Sequence, residues 1–310
     1  MEKTILTRPL ICGLLASLCC LLWGSAIPFI NLGYRLFDVA GSDTATQLLF
    51  AGCRFCLAGA LTVAIGSAAY RRVLVPKREN AGKVVRLALV QTVAQYVFFY
   101  IGVAHTASAE GSIIQGVHAF VSILVACYLF RFEKMNRLKW LGGLLGVAGI
   151  VLVNLGGGTL GGGMSVMGEG FLLVSMFASA CSAGMIRAYG QAENPVALSG
   201  WQFVTGGAML IAAGWLFGGR LTPVSAAAWG VLLYLAFLSA TAYSVWSLLL
   251  RVNPVSRVAV YSFLQPVFGV LLSLLLVREG GGVPLLRYGA ALLLVCLSIA
   301  IVGRGQREDA

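Results

Sequence analysis

The sequence predicts an all-α integral membrane protein, in which ten transmembrane helices form two inverted five-helix repeats around a central cavity. Three observations lead to this prediction. The composition has 59% hydrophobic and 11% charged residues and a mean hydropathy of +0.90, whereas soluble domains carry roughly a quarter charged residues. The apolar residues fall into ten long runs that are separated by short loops. The second half of the chain repeats the first.

Each apolar run is long enough to cross a hydrocarbon core of about 30 Å, which needs about 20 helical residues. Helices are predicted because the runs are continuously apolar, whereas the strands of a membrane barrel would be short and alternating. The predicted spans are Leu10–Tyr34, Ala45–Tyr70, Val85–His105, Ala107–Phe130, Leu138–Leu155, Gly168–Tyr189, Pro195–Phe217, Ala227–Leu250, Pro254–Val277 and Leu285–Val302. Asn194-Pro195 and Asn253-Pro254 are each interpreted as a helix cap followed by a first-turn proline. Because the first span has full membrane length, we expect it to be retained rather than cleaved as a signal peptide.

The internal repeat is visible in short matching motifs. Gly52-Cys53-Arg54-Phe55 in the first half corresponds to Gly200-Trp201-Gln202-Phe203 in the second. Single residues that correspond are Tyr96 with Tyr243, and Glu133 with Glu279. An odd number of spans per copy inserts the two copies in opposite orientations, which is typical of transporters. We predict a first five-helix repeat at 1–155, a Gly-rich external linker at 156–167 and a second five-helix repeat at 168–310.

The formal net charge of +11 is explained by basic residues in the short loops on one side of the membrane. With the amino terminus inside, the basic residues placed outside are only Arg35, Arg220, Arg278 and Arg287, while Arg54 lies within a span. The positive-inside rule then predicts that both termini face the cytoplasm. We expect a multi-pass protein of the plasma (inner) membrane, with no nucleic-acid partner.

Cofactors and metals are not expected. The eight cysteines fall inside apolar spans without CxxC spacing, so they are interpreted as small buried hydrophobic residues. The Gly-rich linker lacks the Lys-Ser/Thr pair of a phosphate-binding P-loop, which excludes an ATP-driven pump within this chain.

Polar side chains follow particular faces of the predicted spans, and in a bilayer such faces meet protein or a water-filled cavity. Gln115, His118 and Ser122 share one stripe of the fourth span because of their helical spacing. The residues predicted to line a pathway are Trp23, Gln95, Tyr96, Phe99, Gln115, His118, Ser122, Tyr243, Trp246, Tyr261 and Gln265. Several of them lie near mid-span, where repeat architectures place their binding sites. The alternative is that these groups only join one helix to another by hydrogen bonds.

Two ionisable residues inside spans require separate interpretation. His118 could carry a coupling proton, because histidine titrates near physiological pH; a neutral, hydrogen-bonded histidine is the alternative. No Asp or Glu lies deep within a span. This absence favours facilitated export, or export that is only weakly coupled to an ion. Arg54 is predicted to be structural, through snorkelling or pairing at a helix interface. Glu133, Pro266 and Glu279 are also assigned structural roles.

Several motifs resemble the drug/metabolite transporter superfamily. They are Trp23-Gly24, Arg54, Gln265-Pro266 thirteen residues before Glu279, and Glu133 with a glycine ten positions later. Within the superfamily the chain resembles EamA-type exporters, and its pattern is similar to YddG-type aromatic amino acid exporters. The resemblance implies a plasma-membrane exporter that works by alternating access around a central cavity. It also implies amino acids or related metabolites as substrates.

The predicted cavity offers aromatic faces, amides and hydroxyls but no obvious fixed charge. Such a lining suits neutral amino acids, aromatic ones included, which would bind weakly. A multidrug or cationic-compound exporter of the same superfamily is the alternative. A membrane-embedded enzyme is disfavoured because neither His105 nor His118 has an acidic partner nearby in sequence, and a channel would not need an inverted duplication.

The expected partners are a small-molecule substrate and membrane lipid, and we expect a monomer. Phe120 departs from the repeat, because it stands where the second half has Pro266.

Overall fold

The computed structural model describes residues 5–106, 108–154, 165–276 and 285–308, and the regular secondary structure of these residues is entirely helical. In chain order the helices are α1 (Pro9–Leu36), α2 (Thr44–Ala69), α3 (Ala81–Leu87, Ala88–Ala94 and Gln95–Ala104 in succession), α4 (Ser108–Leu124, continued by Val125–Leu129), α5 (Arg137–Asn154), α6 (Val166–Gly170, continued by Phe171–Tyr189), α7 (Pro195–Leu216), α8 (Ala226–Val252), α9 (Val255–Ala259, Val260–Phe263 and Leu264–Leu276 in succession) and α10 (Leu285–Glu308). Most of the predicted Gly-rich linker, and Glu279 with its repeat motif, lie outside the described residues.

Six of the described helices are long and apolar enough to cross a membrane. These are α1, α2, α6, α7, α8 and the stretch Arg78–Val103 that contains most of α3. Shorter apolar stretches occur at Ile114–Leu129 in α4 and Gly289–Gly305 in α10. The helix boundaries lie within a few residues of the predicted spans, except that α10 extends to Glu308.

The predicted cap of α7 is present, whereas the predicted cap of α9 is wrong. Asn194 Oδ1 accepts the backbone N–H groups of Val196 and Ala197 at 2.8 and 3.3 Å, and Pro195 occupies the first helical turn. Asn253 instead directs its amide backwards, to the carbonyl oxygen of Leu249 at the end of α8, at 3.1 Å. The side-chain amide thus shares the Leu249 carbonyl with the backbone N–H of Asn253 itself, which donates to it at 2.9 Å, and it does not cap the next N-terminus.

The first turn of α9 is bound by Glu133, which lies on the connection between α4 and α5. Its carboxylate accepts the backbone N–H of Ser256 at 3.1 Å and also the Ser256 hydroxyl. The buried Lys139 Nζ lies 3.3 Å from the same carboxylate. A negative charge at a helix N-terminus is favourable because of the unpaired N–H groups and the helix dipole. Glu133 therefore ties the first half of the chain to the second.

Four of the described helices depart from regular α-helical hydrogen bonding. The middle of α3, Ala88–Ala94, the end of α4, Val125–Leu129, and the start of α6, Val166–Gly170, are π-helical, while Val260–Phe263 in α9 forms a 3-10 segment. The turns of the π-helical segments are wider than α-helical turns. They change the rotation of the residues that follow, and they are frequent at functional sites. The segment in α3 immediately precedes Gln95 and Tyr96, two of the predicted pathway residues.

Two pairs of helices, α2 with α7 and α5 with α10, pack antiparallel. In the α2–α7 pair, a Cβ placed on Gly52 would lie 2.6 Å from Ile211 N, and one on Gly59 would lie 2.6 Å from Val204 N. In the α5–α10 pair, Ser298 Oγ donates to the carbonyl of Gly142 at 2.6 Å. Gly52 of α2 lies against Ile211 of α7, and Gly59, seven residues later, lies against Val204, seven residues earlier. The two helices therefore run in opposite directions. Glycines allow this close backbone approach, as small residues commonly do in membrane bundles.

Further contacts join helices of the first half to helices of the second. Helix α1 packs on α8 and α9, and its counterpart α6 packs on α3 and α4.

The loops at one end of the bundle are joined by further hydrogen bonds. Glu193, between α6 and α7, accepts the backbone N–H of Lys77 and the side-chain amide of Asn80, each at 2.9 Å. Gln191 Nε2 donates to the carbonyl of Arg251 at 2.9 Å. Together with the Glu133 contacts, these bonds connect four loops of the chain.

All eight cysteines belong to described residues and carry free thiols. Two of them bridge helices, since Cys19 Sγ donates to the carbonyl of Ala242 at 3.4 Å and Cys20 Sγ to that of Tyr261 at 3.2 Å. The cysteines within the core therefore act as small apolar residues that also donate weak hydrogen bonds.

Candidate functional site

Aromatic side chains from α1, α2, α3, α7 and α8 meet in the interior of the bundle. We call this group the aromatic cluster; it consists of Trp23, Phe55, Tyr96, Phe99, Tyr100, Phe203, Tyr243 and Trp246. The Trp23 ring centroid lies 5.1 Å from that of Tyr243 and 5.0 Å from that of Trp246, both edge to face. This geometry is favourable because the positive edge of one ring meets the negative face of another.

Two contacts within the cluster join residues that correspond in the internal repeat. The hydroxyls of Tyr96 and Tyr243 are hydrogen-bonded at 3.0 Å. The rings of Phe55 and Phe203 stack with their centroids 5.1 Å apart. A contact between equivalent residues is expected where an approximate two-fold axis passes between two copies of a motif.

Arg54 lies beside the aromatic cluster and is buried, with 3% of its surface exposed. Its Nε and Nη2 atoms donate to Ser239 Oγ on α8, at 3.1 and 2.9 Å. The repeat counterpart of Arg54, Gln202, is also buried and accepts the hydroxyl of Thr92 at 2.7 Å. The pairing of Arg54 at a helix interface agrees with the structural role that the sequence predicts, but that role stays a prediction.

Several polar atoms in the same region make no hydrogen bond within the described residues. They include Trp23 Nε1, Tyr34 Oη, Gln95 Oε1 and Tyr100 Oη. A buried polar group without a partner costs about 1–3 kcal/mol, so native proteins retain few of them. Their concentration among the predicted pathway residues indicates polar groups that are available to a ligand.

The structure brings together five of the predicted pathway residues directly. They are Trp23, Tyr96, Phe99, Tyr243 and Trp246. Tyr261 and Gln265 lie on α9 against α1, where a Cβ on Gly24 would lie 3.1 Å from the Gln265 carbonyl. Tyr261 and Trp246 pack against the same hydrophobic core. Pro266 follows Gln265 in α9.

The pathway residues on α4 form a separate group. His118 Nε2 lies 3.3 Å from Ser122 Oγ, one turn further along the helix. The side chain of His118 is half-buried. The contacts of the described residues do not join His118 or Gln115 to the aromatic cluster. Gln95 is held through its main chain, whose carbonyl accepts the Ser175 hydroxyl at 2.7 Å.

Four members of the site's surroundings were missed by the sequence analysis: Tyr34, Phe55, Tyr100 and Phe203. Phe55 and Phe203 occur at matching positions of the repeated motif, and that coincidence could have identified them. Tyr34 and Tyr100 have no matching residue in the other repeat, so the sequence gives no comparable indication of their place in the site. Within the part of the chain that the structure describes, no group of His, Cys, Asp or Glu could hold a metal ion.

Comparisons with known proteins extend over nearly the whole chain. An uncharacterized transporter of Synechocystis sp. (strain ATCC 27184 / PCC 6803 / Kazusa) is 26% identical over 270 residues, which cover 81% of each protein. A chloroplastic WAT1-related protein of Arabidopsis thaliana is 29% identical over 285 residues, which cover 89% of this chain but 66% of the plant protein. A protein of known crystal structure has the same fold, with a TM-score of 0.77 over 96% of this chain and 97% of that chain, at 17% identity.

The family comparison explains both the composition and the internal repeat. The model of the EamA-like transporter family matches twice, at residues 10–155 and 166–304. This family consists of membrane transporters, so the enzyme alternative is excluded. The chain belongs to the EamA-like transporter family.

Proposed function

We propose that the protein exports neutral amino acids, aromatic ones included, or closely related metabolites, from the cytoplasm by alternating access. The observation that carries this proposal is the aromatic cluster with its partnerless polar atoms at Trp23, Gln95 and Tyr100. Aromatic faces can pack against an apolar or aromatic side chain, while amide and hydroxyl groups can bind an ammonium and a carboxylate.

The proposed mechanism uses two five-helix repeats of opposite orientation, with ten transmembrane helices in all. It is supported by the antiparallel packing of α2 with α7 and of α5 with α10, and by the two matches to one family model. The proposed division remains 1–155, 156–167 and 168–310. In such an architecture one repeat rocks against the other around a site near the bilayer midplane.

The proposed location is the plasma (inner) membrane with both termini in the cytoplasm. Under this topology, the loops joined through Glu133, Gln191 and Glu193 lie on the cytoplasmic side. The structure then corresponds to a state whose cytoplasmic ends are held together. Opening toward the cytoplasm would require these hydrogen bonds to break.

Resistance of living cells tests the substrate class. Cells that overproduce the protein should gain resistance to toxic phenylalanine or tryptophan analogues but not to cationic dyes. The control is a strain that produces the Trp246→Ala variant at the same membrane level. Resistance to cationic dyes without resistance to the amino acid analogues would replace this proposal with the multidrug alternative.

Proton coupling through His118 is a separate part of the proposal. Its support is the half-buried position of His118 within an apolar helix and its contact with Ser122. If His118 carries the proton, His118→Gln should flatten the pH dependence of export in proteoliposomes, whereas Ser122→Ala should retain it. Unchanged pH profiles and proton fluxes in His118→Gln would leave His118 as a hydrogen-bonding group.

A further inference from the structure

The charge of Arg54 has no balancing carboxylate among the described residues. Ser239 Oγ accepts from two of its guanidinium nitrogens, Nε and Nη2, and Nη1 makes no hydrogen bond with a described residue. The described carboxylates are engaged elsewhere or lie near helix ends; Glu133 binds Lys139 and Ser256, for example. Within the described part of the chain, Arg54 is therefore a buried cation whose hydrogen bonds are made to a single neutral hydroxyl.

Such an arrangement is costly in the interior of a membrane protein. Transferring a cation out of water costs several kcal/mol, which a neutral acceptor offsets only in part. Ionisable residues at membrane depth are accordingly rare, and they commonly mark the path of an ion or substrate. At the equivalent position the other repeat has Gln202, whose side-chain oxygen accepts the Thr92 hydroxyl. The fold therefore accommodates an uncharged residue at this position, and the charge belongs to one half only.

Two further hydroxyls lie near Arg54. Tyr34 and Tyr100 belong to the same hydrophobic cluster as Phe55, the residue that follows Arg54, and their hydroxyls interact with each other and with the charge of Arg54. Neither oxygen has a hydrogen-bond partner at normal distance and angle within the described residues. Two hydroxyls and a guanidinium form a donor set that matches the acceptor oxygens of a carboxylate, and hydrogen bonds between charged groups are about twice as strong as neutral ones.

The same donors adjoin the aromatic cluster. The guanidinium carbon of Arg54 lies 5.1 Å from the centroid of the Phe55 ring, and that ring packs against Tyr96 and Phe203. An occupant with its carboxylate at Arg54 would therefore have aromatic faces beside the rest of the molecule.

We infer that Arg54, Tyr34 and Tyr100 form the carboxylate-binding part of the transport site. This inference rests on the proposed amino acid export and makes it more specific: the substrate must carry a carboxylate, and an aromatic or apolar side chain fits beside it. A cationic compound without a carboxylate is excluded, because the buried positive charge of Arg54 would repel it.

Ligand binding to the purified protein tests the inference, measured by quenching of tryptophan fluorescence and by thermal shift. The probes are phenylalanine, phenylalaninamide, which lacks the carboxylate, and 3-phenylpropionate, which lacks the ammonium. The wild-type protein should bind phenylalanine at least about tenfold more tightly than the amide, because a hydrogen bond to a charged group contributes about 1.5–3 kcal/mol. Arg54→Gln, which copies the residue at position 202, should abolish this preference and weaken binding of 3-phenylpropionate, while affinity for the amide is retained. Arg54→Lys should keep part of the preference.

Three further variants keep the test decisive if Arg54→Gln fails to fold. Tyr34→Phe and Tyr100→Phe each remove one hydroxyl and should lower affinity for 3-phenylpropionate several-fold without affecting the amide. Ser239→Ala removes the protein acceptor from the guanidinium and should preserve or strengthen carboxylate binding. If Arg54 is purely structural, the Ser239→Ala variant should lose stability. The tyrosine variants should then leave the ratio of the affinities for 3-phenylpropionate and phenylalaninamide unchanged. That result would overturn the inference.

The outcomes also separate this inference from the proposed function. If phenylalanine is exported but folded Arg54→Gln retains the wild-type acid-to-amide ratio, the carboxylate site is wrong and the export proposal stands. If phenylalanine is not exported but 3-phenylpropionate binds in an Arg54-dependent manner, the carboxylate site stands and the export proposal fails. A wild-type protein that binds neither carboxylate overturns the inference.

Discussion

At the scale of single residues, the site joins aromatic rings from both halves of the chain. The Tyr96–Tyr243 hydrogen bond and the Phe55–Phe203 stack connect corresponding positions, so each half supplies one member of each pair. Trp23 adds an edge-to-face contact with Tyr243. A ligand that entered this region would replace some of these ring contacts with contacts to its own side chain.

The first prediction concerns Trp246 and Gln265. Trp246→Ala and Gln265→Ala should each reduce export of phenylalanine several-fold, because they remove an aromatic face and an amide from the proposed pathway. Transport of labelled phenylalanine, normalised to protein at the cell surface, measures this effect. Trp229→Ala is the matched control, since Trp229 is exposed on the same helix α8. Equal loss of export in the control would mean that the effect reflects general damage to α8.

The second prediction concerns the pH dependence contributed by Glu193. Its partial burial alone would raise the pKa, but hydrogen bonds from Lys77 N–H, Asn80 and Asn194 N–H outweigh that effect and hold the pKa below its usual value. A lowered pKa in the folded state means that this stabilisation is present above the unfolded pKa, about 4.3 for a glutamate, and is lost as the pH falls through the folded value. Glu193→Gln should therefore cost about 1 kcal/mol at neutral pH.

Thermal melts of the purified protein between neutral and acidic pH measure this difference. The melting temperatures of wild type and Glu193→Gln should converge as the pH falls. Glu79→Gln is the control, because Glu79 lies in the connected loop with a highly exposed side chain, 3.7 Å from Lys77, where ion pairs contribute little. A difference between wild type and Glu193→Gln that does not change with pH would contradict the prediction.

At the scale of the helices, the sequence predicts a helix or a helix cap well where the residues that form it are neighbours in the chain. Long apolar runs marked the helices, and the Asn194-Pro195 pair marked the start of α7. The cap of α9 could not be predicted, because its acceptor, Glu133, lies on a distant loop that only the folded chain brings near. The π-helical segment Ala88–Ala94 was also missed, since its hydrogen-bond pattern depends on packing rather than on residue preferences.

The third prediction concerns the close packing of α2 on α7. Gly59→Ala should destabilise the protein by about 1–3 kcal/mol, a typical cost of overpacking, because its Cβ would lie 2.6 Å from the main chain of α7. Gly82→Ala in α3 is the control: a Cβ there meets nothing within 4 Å, so alanine should be neutral or stabilise by up to about 1 kcal/mol. Thermal melting in detergent measures both effects. Equal stability of the two variants would contradict the proposed role of the glycine contact.

At the scale of the whole molecule, the repeat could be identified from sequence, whereas the site could be predicted only in part. Matching motifs such as those around Phe55 and Phe203 revealed the duplication. The sequence placed Tyr96 and Tyr243 on pathway helices, but it could not show that their hydroxyls meet. That contact depends on the rotation and crossing of α3 and α8. The structural role that the sequence predicts for Arg54 stays a prediction, because sequence alone does not reveal which groups balance a buried charge.

The fourth prediction concerns topology. A cysteine introduced at Lys77, in a variant without native cysteines, should react with a membrane-impermeant reagent only after the membrane is opened, because the positive-inside rule places this loop in the cytoplasm. Thr159→Cys, in the proposed external linker, is the matched control and should react in intact cells. Labelling of Lys77→Cys in intact cells would contradict the topology.

Counterflow in proteoliposomes tests the central claim most directly, because a carrier that alternates its access is accelerated by substrate on the opposite side. Vesicles loaded with unlabelled phenylalanine should take up labelled phenylalanine faster, and to a higher transient level, than empty vesicles. Labelled phenylalaninamide should show no comparable stimulation. Equal phenylalanine uptake by loaded and empty vesicles, with simple equilibration in both, would contradict alternating access and indicate an open pore.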